Sequence, residues 1–474
     1  MNPFRLTLAA IALAAAFPSA QAAGDDLKAL REEIARMREN YEKRIDKLEQ
    51  RLAQAESAAG KAVVSAESAR QAAQRNTVAS AASGFNPEVS LILGGALTRT
   101  SRDPADWKLQ GFATPGEPDE IGPAKRRGYS LGESELVISA NVDPNFRGYL
   151  NLALTPENTL EVEEAYFQTL GLGQGLTLKG GRFLSGIGYQ NEHHPHAWDF
   201  ADAPLAYTAF FGNRLTAEGL QMKWLAPTDL FLEVGAEAGR DDAFPGSSRN
   251  KKGSAMGSLF AHVGGDVGVS NSWRAGLSFV RTSPQDRVYE DTDTAGVTNN
   301  VGFSGRSKTW VADFVWKWAP NGNATEKNFK FQSEYFRRTE NGTLFCEDPN
   351  AGAGPCTARL TDTYSSRQSG FYAQGVYQFM PKWRVGYRYD QLNSGGTRIG
   401  LVDNAVGGLT AADFPLLGAW KPKRSTLMMD YSSSEFSRLR LQFARDTSRG
   451  PGQADNQVWL QYIMSLGSHG AHKF

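Results

Sequence analysis

The chain has 474 residues, 41% apolar and 11% aromatic, with 49 glycines and a mean hydropathy of −0.43. Its 51 basic residues equal its 51 acidic ones, which argues against a nucleic-acid partner and against a wholly cationic, anion-trapping interior. After the N-terminal segment no stretch approaches the roughly 20 apolar residues of a membrane helix. Abundant glycine and aromatics in a polar chain suit a water-filled barrel with aromatic girdles better than a soluble enzyme, with a secreted sandwich or β-helix as the plainer alternative.

Met1–Arg5 is a short basic start, Leu6–Phe17 a brief apolar run, and Ala20-Gln21-Ala22 a small-residue cleavage pattern. Together they predict a secretory signal peptide over 1–22. Apolar residues then fall at Leu27, Leu30, Ile34, Met37, Tyr41, Ile45, Leu48, Leu52 and Ala55. This alternation of threes and fours is a coiled-coil seam with one stutter near Tyr41–Ile45. The stripe continues in alanine through Ala59, Ala62, Ala66, Ala69 and Ala73. A periplasmic coiled coil is expected over 25–75, self-associating rather than solvated alone, with a linker at 76–84 and a barrel over 85–474.

Beyond Gly84 the period changes to 2. Trp310, Ala312, Phe314, Trp316 and Trp318 share one face, opposite Asp313 and Lys317. Trp383, Val385, Tyr387 and Tyr389 alternate with Arg384, Gly386, Arg388 and Asp390, and Leu439, Leu441 and Phe443 alternate with Arg440, Gln442 and Ala444. Aromatic on one face and charged on the other is the pattern of a strand between lipid and water. The fold class expected is therefore an all-β transmembrane barrel of antiparallel strands with an N-terminal helical coiled coil.

Short turn signals recur at Asp143–Asn145, Gly171–Gly175, Ala226–Thr228, Asp266–Ser272, Pro320–Lys327, Pro381 and Ser432–Glu435. Between them lie long polar connections at Thr100–Arg127, Ile187–Leu215, Ser283–Arg306, Thr339–Gln368 and Asn393–Lys423. Short turns facing the periplasm and long loops facing outward give about 16 strands, a size that leaves an aqueous channel. Cys346 and Cys356 lie close together in a Gly/Pro-rich loop of an exported chain, where a disulfide is expected over metal binding. Phe474 is in register with the apolar face of the last strand and resembles the signal read by the barrel-assembly machinery.

Gly180-Gly181-Arg182-Phe183, Tyr335-Phe336-Arg337-Arg338, Phe371-Tyr372-Ala373-Gln374-Gly375, Pro381-Lys382-Trp383 and Tyr387-Arg388-Tyr389-Asp390 make the barrel portion resemble the phosphate-selective porin O and P family. That resemblance implies a trimeric barrel of 16 strands whose third outer loop folds inward as a constriction. The inward-parity cations are Arg147, Arg274, Lys317, Lys330, Arg384, Arg388 and Arg440, but Asp313, Glu334 and Asp390 share their face. This mixed lumen does not carry phosphate selectivity over. The segment Asn191–Leu205 resembles a subgroup described as zinc-regulated outer-membrane receptors, in which a His-rich stretch precedes Asp-Phe-x-Asp-x-Pro-Leu. The place of a receptor plug is taken here by the coiled coil, so the channel reading is the one carried over.

By strand count Ile187–Leu215 is the third outer loop. It holds His193, His194 and His196 beside Glu192, Asp199 and Asp202, residue types that suit zinc and similar divalent ions held weakly. The alternative is that Trp198, Phe200, Pro204, Phe210 and Phe211 wedge the loop on the wall while the histidines line water. The expected function is a bacterial outer-membrane porin passing small hydrophilic solutes or ions, divalent metal such as zinc among them, as a homotrimer in outer-membrane lipid. No cofactor is required. No nucleophile elbow, HExxH or phosphate loop occurs, so no enzyme is expected. Two other readings stay open: an envelope tether or adhesin whose coil reaches peptidoglycan, and an outer-membrane enzyme with a rim active site.

Overall fold

The computed structural model describes residues 87–467 apart from 117–120, 125, 133, 156–158, 241, 248–253, 349–355 and 357, together with Ala35, Arg36, Glu39, Glu42 and Lys43. The expected signal peptide, the linker and Phe474 lie outside the described residues. So does the expected coiled coil, except those five positions, which are helical and include a Glu39–Lys43 ion pair at 2.7 Å. The barrel unit begins at Pro87.

Strands follow the period-2 segments. The first are β1 (Glu88–Thr100), β2 (Gly128–Leu131), β3 (Ser134–Asn141), β4 (Phe146–Leu154), β5 (Leu160–Thr169) and β6 (Leu176–Leu184). Next come β7 (Thr216–Leu225), β8 (Phe231–Gly239), β9 (Met256–Val267), β10 (Asn271–Thr282), β11 (Arg287–Thr292) and β12 (Thr298–Trp318). The last are β13 (Asn328–Glu347), β14 (Leu360–Met380), β15 (Trp383–Ile399), β16 (Lys423–Ser434), β17 (Ser437–Asp446) and β18 (Asp455–Gly467). Every pairing is antiparallel, and β1 closes on β18 from Ser90↔Gly467 to Thr100↔Gln457. Both β2 and β3 pair with β1 and form two halves of one crossing, while β11 stands beyond β10 against the far end of β12. The 18 strands therefore make 16 crossings of a closed barrel, as the turn pattern predicts.

Alternation sorts the two faces. Trp310, Phe314 and Trp316 are exposed on the outside while Thr309, Val311 and Val315 are buried within. Leu427, Met429, Leu439 and Phe443 repeat the pattern on β16 and β17.

Three expected connections are corrected. Much of Ser283–Arg306 and Thr339–Gln368, and the first seven residues of Asn393–Lys423, are strand, because β12, β13, β14 and β15 run for 21, 20, 21 and 17 residues. At about 3.3 Å per residue and a 40° tilt, 21 residues rise roughly 50 Å, twice the apolar band of a membrane barrel. Beyond that band the outward residues turn polar, so the same alternation reads as loop in sequence. The long-loop end is capped by a cluster that includes Phe303, Leu344, Leu401, Phe414 and Leu417. Within it the structure joins Cys346 to Cys356, with Cα atoms 5.6 Å apart. A larger apolar cluster lies inside the barrel, where residues of the first and third long loops meet the wall.

Candidate functional site

The connection 185–215 between β6 and β7 turns into the lumen. Its two ends meet where the Ser185 amide donates to the Leu215 carbonyl at 3.0 Å. Asn191 fastens that base, donating to the carbonyls of Ser185 and Leu215 at 2.8 and 2.9 Å and accepting from the Leu215 amide at 2.7 Å. The sequence Leu205–Phe211 forms a short helix, α1, which starts after Pro204 and ends at Gly212, whose left-handed backbone (φ 59°) terminates it. All of α1 is buried. Phe210 stacks on Phe336 at 5.6 Å and meets Phe112 edge-on at 5.9 Å. Apolar burial offsets the entropy of ordering the loop, and the expected wedge of Trp198, Phe200, Phe210 and Phe211 is present.

Polar anchors then tie the loop to opposite sides of the wall. Glu334 on β13 accepts from the Tyr189 and Gln190 amides at 3.2 and 2.9 Å and from the Tyr207 and Tyr372 hydroxyls at 2.8 and 2.6 Å. Glu237 on β8 accepts from the Gly186 amide at 2.8 Å. Arg274 donates to the Gly188 carbonyl at 3.1 Å, and Arg440 to the Trp198 carbonyl at 2.9 Å. Asp199 pairs with Lys330 at 2.7 Å and Arg384 at 3.2 Å. Asp202 pairs with Arg388 at 3.0 Å and Arg424 at 2.8 Å. Burial alone would raise both carboxyls, but Lys330 and Arg384 beside Asp199, and Arg388 and Arg424 beside Asp202, hold them below the usual carboxylate range. Lys317 lies in register with Lys330, and Arg147 sits half-exposed at the short-turn end against Glu88 at 2.5 Å.

The histidines sort differently from the expected grouping. His194 Nδ1 is 2.9 Å from Glu163 and its Nε2 is 2.9 Å from Glu164. His196 Nδ1 is 2.7 Å from Glu135, and Glu135 also lies 3.5 Å from His194. A β-bulge makes this possible. Asn151 pairs with Glu164 and Leu152 with Val162, leaving Glu163 as the extra residue. Two consecutive glutamates are thereby buried on the lumen side, where regular alternation would bury one. One ligand atom each from Glu135, Glu163 and His194 lies within 4.8 Å of the others. Asn151 donates to Glu135 at 2.7 Å, and its buried Oδ1 has no hydrogen-bond partner. Burial by itself would lower the His194 pKa, but the hydrogen bonds to Glu163 and Glu164 and the charge of Glu135 hold it well above the ordinary value.

Two parts of the predicted metal set are thus separated. His194 and His196 join wall glutamates, whereas Asp199 and Asp202 are taken by basic side chains and Glu192 pairs with Lys223 at 2.9 Å. His193 Nδ1 turns to the Tyr189 carbonyl at 2.9 Å. Sequence reasoning missed Glu135, Glu163 and Glu164, which lie 27 or more residues from Asn191. The run Glu161-Val162-Glu163-Glu164 breaks the period of 2 and is the one local sign of the bulge.

No family model matches the chain. It is 29% identical over 416 residues to an uncharacterized protein of Aquifex aeolicus (strain VF5), a match spanning 82% of this chain and 80% of that one. Among solved structures it is similar to the outer membrane channel DcaP of Acinetobacter baumannii, with 13% identity, 80% of this chain and 97% of that one covered, and a TM-score of 0.46. It is similar to OprB of Pseudomonas putida, at 13% identity over 80% and 94% of the two chains with a TM-score of 0.46. The trimer form of OmpT, an outer membrane protein of Vibrio cholerae, gives 11% identity over 80% and 99% with a TM-score of 0.46.

Proposed function

We propose that this chain is a porin of the bacterial outer membrane, passing small hydrophilic solutes and ions through a barrel narrowed by its third long loop. One observation carries the reading: a closed barrel whose outer face is an apolar, aromatic-rimmed band and whose inner face, away from the apolar cluster under the third loop, is largely polar and charged. Such a surface is stable only with hydrocarbon outside and water inside. Lumen-facing Thr282, Thr309, Asp313 and Thr426 have no hydrogen-bond partner in the protein. Buried polar groups of this kind call for ordered water, which a solvent-filled lumen supplies.

Within that reading the passengers include divalent cations such as zinc. Glu135, Glu163, Glu164, His194 and His196 offer the imidazole and carboxylate donors that borderline metals prefer, and the partnerless Asn151 Oδ1 adds a neutral oxygen at their side. Arg214, paired with Glu163, competes for the same carboxylate and keeps such binding weak, as conduction requires.

The assembly proposed is a homotrimer joined through the β3–β7 side. There the outward residues toward the long-loop end are aliphatic, among them Leu154, Leu160 and Val162. The Arg182–Glu218 pair also faces outward there. Charges on the lipid face of a barrel are costly, whereas a neighbouring protomer would shield them.

Planar-bilayer recording of the purified full chain tests these points together. Expected are ohmic conductance in triple steps and a reversible reduction of current by zinc that is lost in a Glu163→Gln/His194→Asn double variant. Silent bilayers sink the porin. Single steps sink the trimer, and zinc block that survives in the double variant sinks the metal site.

A further inference from the structure

The outer wall of β10 and β12–β15 changes chemistry along its height. Aromatic outward residues (Phe279, Trp310, Tyr335, Phe371 and Tyr389) give way toward the long-loop end to Arg281, Arg306, Lys308, Arg337, Arg367 and Arg398. The register sets these cations side by side. Arg281 faces Lys308, Lys308 faces Thr339, and Thr339 faces Arg367. One row further out, Arg306 faces Asn341, Asn341 faces Ser365, and Ser365 faces Arg398. With strands about 4.8 Å apart, six cations fall within a strip roughly 20 Å wide. No outward position of β12, β14 or β15 holds a carboxylate. Among the described residues none of the six forms an ion pair, in contrast to the lumen residues Arg384, Arg388 and Arg440, each paired with an aspartate.

The strip is also concave. A register slip opposite Arg367 and Ser369 places one extra residue in β15, with Gly395 at φ 64°. Beside it opens a groove of about 690 Å³ lined by Arg337, Thr339, Arg367, Ser369, Asn393 and Arg398. A second hollow of about 330 Å³ shares Thr339 and Asn341 and adds Arg306 and Lys308.

We infer that this strip binds the phosphorylated headgroup of an outer-leaflet glycolipid, one molecule carrying two or more phosphates. The inference rests on the outer-membrane reading above. Three features select the ligand: unpaired guanidinium groups suit phosphate oxygens bidentately, flanking hydroxyls and amides suit a sugar, and the aromatic row below suits acyl chains at the membrane boundary. The strip is on the opposite side of the barrel from β3–β7, so it faces lipid in the proposed trimer. A soluble anion has no reason to be held there against the hydrocarbon edge.

The experiment titrates the detergent-solubilised full chain with a bisphosphorylated diglucosamine glycolipid, its dephosphorylated form and inorganic phosphate, following bound lipid by native mass spectrometry. Wild type should retain the bisphosphorylated form far better than the dephosphorylated one. Arg337→Gln/Arg367→Gln/Arg398→Gln should weaken that binding about a hundredfold, whereas Lys327→Gln/Lys382→Gln at the short-turn end should leave it unchanged. Equal retention of both glycolipids, an unaffected triple variant, or displacement by millimolar inorganic phosphate would each overturn the proposal. Conductance of the triple variant separates the two readings: an open channel that has lost glycolipid leaves the porin standing, while glycolipid binding by a silent barrel removes the porin and not the strip.

Discussion

At the scale of single residues, the third loop is held by side chains that do more than one job. Asn191 closes the loop base with three hydrogen bonds to Ser185 and Leu215. Asn191→Ala leaves their buried backbone groups without those partners and should cost about 3 kcal/mol, read as a lower temperature for heat-modifiable gel migration together with noisier open-channel current. An unchanged midpoint would mean that the loop is held from elsewhere. Asp202 makes a different test, because its partners are charged. Its folded pKa lies below its unfolded value near 3.8. A depressed carboxylate contributes stability that is present above the unfolded pKa and is lost as pH falls through the folded one. Loop anchoring at Asp202 should therefore be constant from pH 7 down to about 4 and weaken only in stronger acid. Open-channel noise followed against pH checks this, and a transition near pH 6 would contradict the Arg388 and Arg424 pairing.

Among elements, the bulge in β5 carries the most specific consequence. Deleting Glu163 would let Val162 and Glu164 meet Leu152 and Asn151 in unbroken register. The barrel should survive, because all other pairings of β5 are kept, but the cluster would lose one carboxylate and the partner of Arg214. The deletion is expected to migrate on gels as a folded barrel and to lose zinc block of its current. Loss of the folded band would show that the bulge is needed for strand pairing itself. The same element marks the limit of what is legible in sequence. Alternation at Trp310–Trp318 reads correctly because, on the outer-membrane reading, the outward face needs apolar side chains at every second position. Turns such as Asp143–Asn145 read correctly because few residues suit a tight reversal. The outer halves of β12–β15 do not, since no lipid enforces apolarity there and polar alternation reads as loop. Neither does the metal-type cluster: His194 is visible in its His-rich run, but its glutamates come from β3 and β5, brought near by barrel closure and by one unpaired residue.

For the whole molecule, the decisive quantity is how much lumen charge remains uncompensated. The arginine and lysine positions on the inward faces of β13–β17 could form a cationic ladder. In the folded barrel Lys330 and Arg384 share Asp199, Arg388 and Arg424 share Asp202 and Asp390, and Arg384 and Arg440 share Asp430. Two of these four aspartates, Asp199 and Asp202, arrive on the inserted loop. The ladder is thus a docking surface for the loop, and its charge is largely neutralised before any permeant ion arrives. Paired charges at close range leave little net potential a Debye length away. The wild-type channel should accordingly show weak charge selectivity, with a reversal potential in a salt gradient far from the ideal anion value. Asp199→Asn/Asp202→Asn together remove two negative charges while keeping shape, which should shift the reversal potential toward anions and raise current noise as the loop loosens. Breaking such buried pairs commonly costs about 3–5 kcal/mol, so the double variant should also unfold at lower temperature. A wild-type channel already strongly anion-selective would mean that permeant ions meet arginines the loop leaves open, and the docking role assigned to the ladder would be wrong.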